Sequence, residues 1–238
     1  MPILATVLLL TTVEIAPPPS LTTSEILARM MQADHSRLAA LAGYSATRHY
    51  RFDNQKFNKH AEMTVRMSCG ADGAKTFEVL SESGSGFVRN HIIRKMMEAE
   101  EESSQKGERK ETRIIPDNYD FRLLGTELSD GRQSYVLEIS PKKATKFSIR
   151  GRIWVDAEDF AIARIEGQPA KNPSFWIRSV QVVQQYGRNG QFWLPARNRS
   201  VAEARVFGST EVVIESSDYD TNVRETQAHV RPAEESHQ

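Results

Sequence analysis

The sequence predicts a mainly β fold: a strongly curved antiparallel sheet of about ten or eleven strands, with two amphipathic helices against its concave face. Three observations predict it. Apolar–polar alternation recurs through most of the chain and is clearest in Phe147–Gly167, where Phe147, Ile149, Ile153 and Val155 share one parity and Trp154 takes the other. Turn-forming clusters punctuate that alternation, among them Asp53-Asn54-Gln55, Ala71-Asp72-Gly73, Asp130-Gly131 and Arg188-Asn189-Gly190. Helical spacing of apolar residues, in contrast, is confined to two segments.

Residues 1–20 read as a leader. Ile3 to Val13 is an apolar run of signal-peptide length, too short to span a bilayer. It has no Lys or Arg before it, and Glu14 interrupts its end, so a packed or disordered N-terminus is the competing reading. The first helix follows Pro17-Pro18-Pro19. Thr22 and Glu25 have capping-box spacing, and Ile26, Leu27, Met30, Met31, Leu38 and Leu41 form an apolar stripe, with Gly43 as the stop. Three strands come next. Tyr44, Ala46, Arg48, Tyr50 and Phe52 share a parity in the first. Ala61, Met63, Val65, Met67 and Cys69 alternate with polar residues in the second, and Phe77 and Val79 carry the third.

Ser83-Gly84-Ser85-Gly86 breaks the strand rhythm ahead of a second helix from Phe87 to about Gln105, with Val88, Ile92, Ile93, Met96 and Met97 as its stripe. Glu98 to Glu102 and the basic run after it are read as a solvated helix end and loop. Three consecutive glutamates point about 100° apart on a helix and do not converge on one metal ion. After Pro116 the strands resume and continue to about residue 221. They include Phe175 to Tyr186 with Trp176, the Phe192-Trp193-Leu194-Pro195 segment, Ala196 to Phe207 and Thr210 to Tyr219. Residues 222–238 are a polar tail, and 21–221 form one domain. Two helices do not seal so wide a sheet, which leaves an apolar cavity beneath them.

Composition excludes several function classes. Lysine plus arginine equals aspartate plus glutamate at 31 each, so no net field attracts nucleic acid. The single cysteine, Cys69, rules out an internal disulfide and a cysteine-based metal cage. The histidines show no H-E-x-x-H or H-x-H spacing, and there is no G-x-S-x-G elbow or P-loop. The expectation is therefore a non-enzymatic protein without cofactor or metal.

Several segments together resemble a known family. They are Tyr119-Asp120-Phe121-Arg122-Leu123-Leu124-Gly125, Tyr135 to Lys142, Ile153-Trp154-Val155-Asp156 with Arg164-Ile165-Glu166, and Gly190 to Pro195. In their order behind the helix-and-three-strands opening they resemble the periplasmic lipoprotein-carrier superfamily, the Lol-type carriers and receptors and the related envelope-stress sensor domain. The resemblance spans roughly Leu21 to Asp220. It implies an unclosed β-barrel lidded by helices, a hydrophobic cavity for acyl chains or hydrophobic peptides, a periplasmic or exported location, and envelope membrane proteins as partners.

The chain departs from the carriers in its leader and in the charged stretch from Glu98 to Lys110. Candidate lining residues are Tyr50, Phe52, Met63, Val65, Met67 and Phe77, which fit a filled core equally well. Arg48 stands among them on parity and is the candidate for the carriers' ligand-gating arginine. The leading expectation is a carrier for lipoprotein acyl chains, a lipid or another apolar ligand. Two alternatives use the same alternation: an outer-membrane β-barrel with its apolar parity toward lipid, or an envelope sensor or interaction module that recruits partners through open sheet edges.

Overall fold

The computed structural model describes residues 21–105, 110–172, 175, 177–206 and 208–223. The leader and residues 224–238 lie outside the described residues, as does Trp176. In chain order the elements are α1 (Thr23–Ala40), β1 (Leu41–Asn54), β2 (Lys59–Cys69), β3 (Lys75–Gly84), α2 (Gly86–Val88), a π-helical turn (Arg89–Ile93), α3 (Arg94–Ser104), β4 (Tyr119–Ser129), β5 (Arg132–Pro141), β6 (Ile149–Asp156), β7 (Ile162–Pro169), β8 (Ile177–Asn189), β9 (Phe192–Ala204) and β10 (Gly208–Val223).

All ten strands join one antiparallel sheet in the order β3-β2-β1-β10-β9-β8-β7-β6-β5-β4. Consecutive strands pair throughout except β3 and β4, and β10, besides pairing with β9, returns to pair with β1. The edges β3 and β4 do not meet, so the sheet is an unclosed half-barrel. Alternation is strict where the sequence is strict. In β2, Ala61, Met63, Val65 and Met67 are all buried, and the residues between them are exposed or half-buried. Where β6 crosses β7, Gly151 faces Gly167, and a Cβ on Gly151 would collide with the Glu166 carbonyl. Glycine is required there because the two backbones leave no room for a side chain.

The capping box at the start of α1 is present: the Thr22 hydroxyl accepts from the Glu25 amide, and the Glu25 carboxylate accepts from the Thr22 amide. Gly43, expected as the helix stop, has a different task. The helix ends at Ala40 and passes straight into β1 through an extended Leu41. Gly43 sits inside β1 beside a bulge, at φ 147°, where a Cβ would come within 2.8 Å of the Cys69 carbonyl oxygen.

The second helical segment carries a π turn. That turn spaces Val88 and Ile93 five residues apart, and Met97 follows four later, so all three are buried on one side. Three strand boundaries differ from the sequence expectation. Phe175 precedes β8 and is exposed. β9 runs unbroken through Pro195, which is tolerated because a bulge between Gln185 and Tyr186 offsets the ladder opposite it. β10 extends to Val223, which pairs with Leu41. In the polar turn between β6 and β7, Asp156 is buried to 1% exposure. Its carboxylate takes two hydrogen bonds from Arg132 and the amide protons of Glu158 and Asp159.

Candidate functional site

Both helical segments lie over the concave face, and they treat the sheet differently. Over β1–β3 and β10, Tyr50, Phe52, Ala61, Met63, Val65 and Val212 pack against Val88, Ile93 and Met97, with Phe77 and Val79 at the margin. That half is filled. Over β4–β7 the first turns of α1 are seated, with Ile26 and Met30 against Tyr119, Leu137, Ile139, Ile153 and Val155. Further along α1 the helix stands off, and Met31 and Leu38 remain 43% and 45% exposed.

The gap is a cavity of about 510 Å³ between α1, residues 112–115 and strands β6–β9. Its wall combines Met30, Met31, Ile114, Ile149, Ile162 and Ile165 with the polar groups of Asp34, Arg37 and Arg113. Asp34 and Arg113 form an ion pair at 2.5 Å, about 40% exposed on each side, that crosses from α1 to the segment before β4. Arg37 donates to the backbone carbonyls of Asp159 and Phe160, so the C-terminal turn of α1 is tied to the β6–β7 turn.

A second cavity, of about 340 Å³, lies between α3 and the middle of the sheet. Here the wall is mixed: the charged groups of Arg48, Lys75, Glu100 and Arg197 and the polar groups of Gln184, Tyr186, Asn198, Ser200 and Ser216 alternate with the apolar Met96, Val182, Pro195 and Ile214. Tyr186 lines both cavities. Glu100 reaches down from α3 and accepts from Arg48 at 2.7 Å and Lys75 at 2.6 Å. Burial raises the Glu100 carboxyl, but the Lys75 and Arg48 cations outweigh it and hold the group at about 2. Arg48 is held above its ordinary value in spite of burial, chiefly by Glu100. Desolvation, followed by the Glu100 charge, pushes the Tyr186 hydroxyl up to about 12. Arg48 also lies 5.6 Å from the centre of the Phe77 ring.

The residues singled out from sequence therefore divide. Arg48 lies on a cavity wall. Tyr50, Phe52, Met63 and Val65 are in the filled core, Phe77 is packed at its margin, and Met67 joins Tyr44, Ala46, Phe192 and Leu194 in a neighbouring cluster. Strand parity identified the face these residues share, but not that residues 86–104 would press onto that half of it. The walls of the larger cavity, from α1 and β6–β9, were legible only as an amphipathic helix and alternating strands. Glu100, read as solvated, is in fact the anion that ties α3 to β1 and β3. Among the described residues no group of three or more His, Cys, Asp or Glu side chains is placed to hold a metal ion. No helix among them is long and apolar enough to cross a membrane.

A family model described as "Uncharacterized protein" matches residues 110–228. No curated protein matches the sequence. Among solved structures the chain is similar to a DUF1329 family protein from Desulfovibrio piger, at 15% identity and a TM-score of 0.49, over 86% of this chain and 95% of that one. It is similar to a putative outer membrane lipoprotein-sorting protein domain from Vibrio parahaemolyticus at 12% identity and a TM-score of 0.44, over 88% and 96% of the two chains. A LolA superfamily protein from Nitrosomonas europaea is similar at 14% identity and a TM-score of 0.39, over 85% and 94%.

Proposed function

The chain belongs to the family whose model spans residues 110–228, and from the unfilled half of its concave face we propose that it binds a molecule with a hydrocarbon chain. The observation that carries this reading is the cavity of about 510 Å³ under the stand-off end of α1, a volume in the range of about 300–1,000 Å³ usual for small-molecule sites. Burying one methylene gains about 0.8 kcal/mol, so a chain of about fourteen carbons supplies roughly 11 kcal/mol before ordering costs. That is enough to hold a lipid tail out of a membrane. The Asp34–Arg113 pair at the rim is half exposed, and pairs of that kind contribute at most about 1 kcal/mol, so the opening between α1 and residue 113 is cheap to widen.

The role we assign is that of an exported or periplasmic carrier for acyl chains or another apolar ligand in envelope lipid or lipoprotein traffic. This is in keeping with the lipoprotein-sorting domain to which the chain is similar. An outer-membrane barrel reading fits less well. A sheet that crosses a bilayer closes on itself, whereas β3 and β4 here are separate edges and helices cover the inner face. Native mass spectrometry of the gently purified protein, together with uptake of a fluorescent fatty acid, tests the proposal. A bound amphiphile and saturable uptake are expected. A ligand-free protein that takes up no apolar probe would overturn it.

A further inference from the structure

The charged groups of the second cavity are not needed to hold a hydrocarbon tail. The Arg48 side chain is 5% exposed, Lys75 22% and Glu100 25%, and they face a chamber whose other walls mix amides and hydroxyls with apolar side chains. Buried charges are normally matched one for one. Here two cations meet one carboxylate. The other charged residue on that wall, Arg197, is answered by Glu215 at 3.4 Å. One positive charge is left over inside the protein.

Donor capacity is left over as well. A guanidinium carries five N–H groups and an ammonium three. Glu100 accepts from Arg48 through Nη1 and from Lys75 through Nζ, while the buried Nε of Arg48 has no hydrogen-bond partner. The neighbouring amides and hydroxyls are partly spent on each other: Asn198 donates to Gln184 and Ser200 donates to Asn198. Surplus positive charge and surplus N–H groups in one chamber point to a missing oxyanion.

We infer that this chamber is a headgroup site, and that the ligand is an amphiphile whose single hydrocarbon chain ends in a compact oxyanion, a carboxylate or a phosphate. The tail occupies the larger cavity, the head sits beside Glu100 against Arg48 and Lys75, and the molecule passes Tyr186, the wall common to both spaces. The assignment rests on the proposed tail site. It adds a requirement for negative charge, which that reading does not make.

The test measures binding of myristate, tetradecyl phosphate, tetradecanol and inorganic phosphate to the full chain at pH 8. The charged amphiphiles are expected to bind about tenfold or more tightly than the alcohol, the effect of one charged hydrogen bond in a partly dry site. Whichever of carboxylate and phosphate binds more tightly identifies the head. In Lys75→Met the ratio of myristate to tetradecanol affinity is expected to fall about tenfold. In Glu100→Gln it is expected to rise, a gain that misfolding does not produce. Equal affinity for myristate and tetradecanol in all three proteins would overturn the headgroup site and leave the tail site standing. Failure of every tailed probe would overturn the tail site and the headgroup site together. Inorganic phosphate binding as tightly as tetradecyl phosphate would overturn the amphiphile in favour of a simple anion site.

Discussion

The two halves of the concave face differ more than their sequences do. Both pair amphipathic helical residues with alternating strands, whose apolar positions draw on Met, Val and Phe in β2 and β3 and on Ile, Val and Leu in β4–β7. Over β1–β3, residues 86–104 lie flat on the sheet because the π turn turns Val88, Ile93 and Met97 to one side and Glu100 is bonded to both β1 and β3. Over β4–β7, α1 is seated at one end by Ile26 and Met30 and held at the other by Arg37 reaching the Asp159 and Phe160 carbonyls. Polar contacts hold α1 at its far end without bringing it down onto the sheet. One half is thus a filled core, and the other leaves a cavity. What separates them is how far each helix is allowed to descend.

The largest expected break in this contrast comes from truncating the filled half. Ile93→Ala or Met63→Ala should cost about 2–5 kcal/mol in urea unfolding, since both side chains are buried and neighbours close only part of the void. Next is the ion bridge. Glu100→Ala removes the partner of two cations, one almost wholly buried, and should cost about 3 kcal/mol at pH 7. The pH dependence is one-sided. The folded carboxyl sits at about 2 against an ordinary 4.5, so the unfolded chain binds the proton first. The stabilisation is complete above about pH 4.5 and disappears as pH falls toward 2. The gap in unfolding midpoint between wild type and Glu100→Ala should therefore narrow over that window. A gap that stays constant would show that the bridge is not what holds α3.

A matched pair of enlargements sharpens the comparison. Val65→Phe in the filled half should cost about 1–3 kcal/mol, the usual price of overpacking. Ile165→Phe on the cavity wall should cost less than that and abolish fatty-acid uptake, because the added ring enters space that the native side chains leave empty. Uptake that survives Ile165→Phe would move the tail site elsewhere. The smallest effect is expected at the start of α1. Thr22→Ala loses the cap and should lower stability by about 1 kcal/mol, with little change in uptake.

Period-two alternation made the strands legible, and β2 matches residue for residue. Asp130-Gly131 was legible as a hairpin because the pair accepts positive φ, found at 50° and 77°. Gly43 misled because a glycine after a helical stripe looks like a stop, when the actual constraint is the Cys69 carbonyl across the ladder. The partnership of Glu100 with Arg48 and Lys75 was not legible. It joins residues 52 and 25 positions apart through the packing of α3, and local sequence carries no trace of such a contact. Nor did parity reveal which half would be hollow. Parity assigns a side chain to a face, whereas the depth of a helix above that face depends on what anchors its ends.

The placement of β10 has a consequence for how the molecule comes into being. The strand last in chain order is flanked on both sides, by β1 and by β9, so it is the seam between an N-terminal meander and a C-terminal one. Until residues 208–223 are in place, β1 and β9 each present a bare row of amides and carbonyls. Assembly is therefore expected to be late and abrupt, with two incomplete sheets waiting on one closing segment. A chain cut before Gly208 should yield sticky fragments instead of a smaller folded half-barrel.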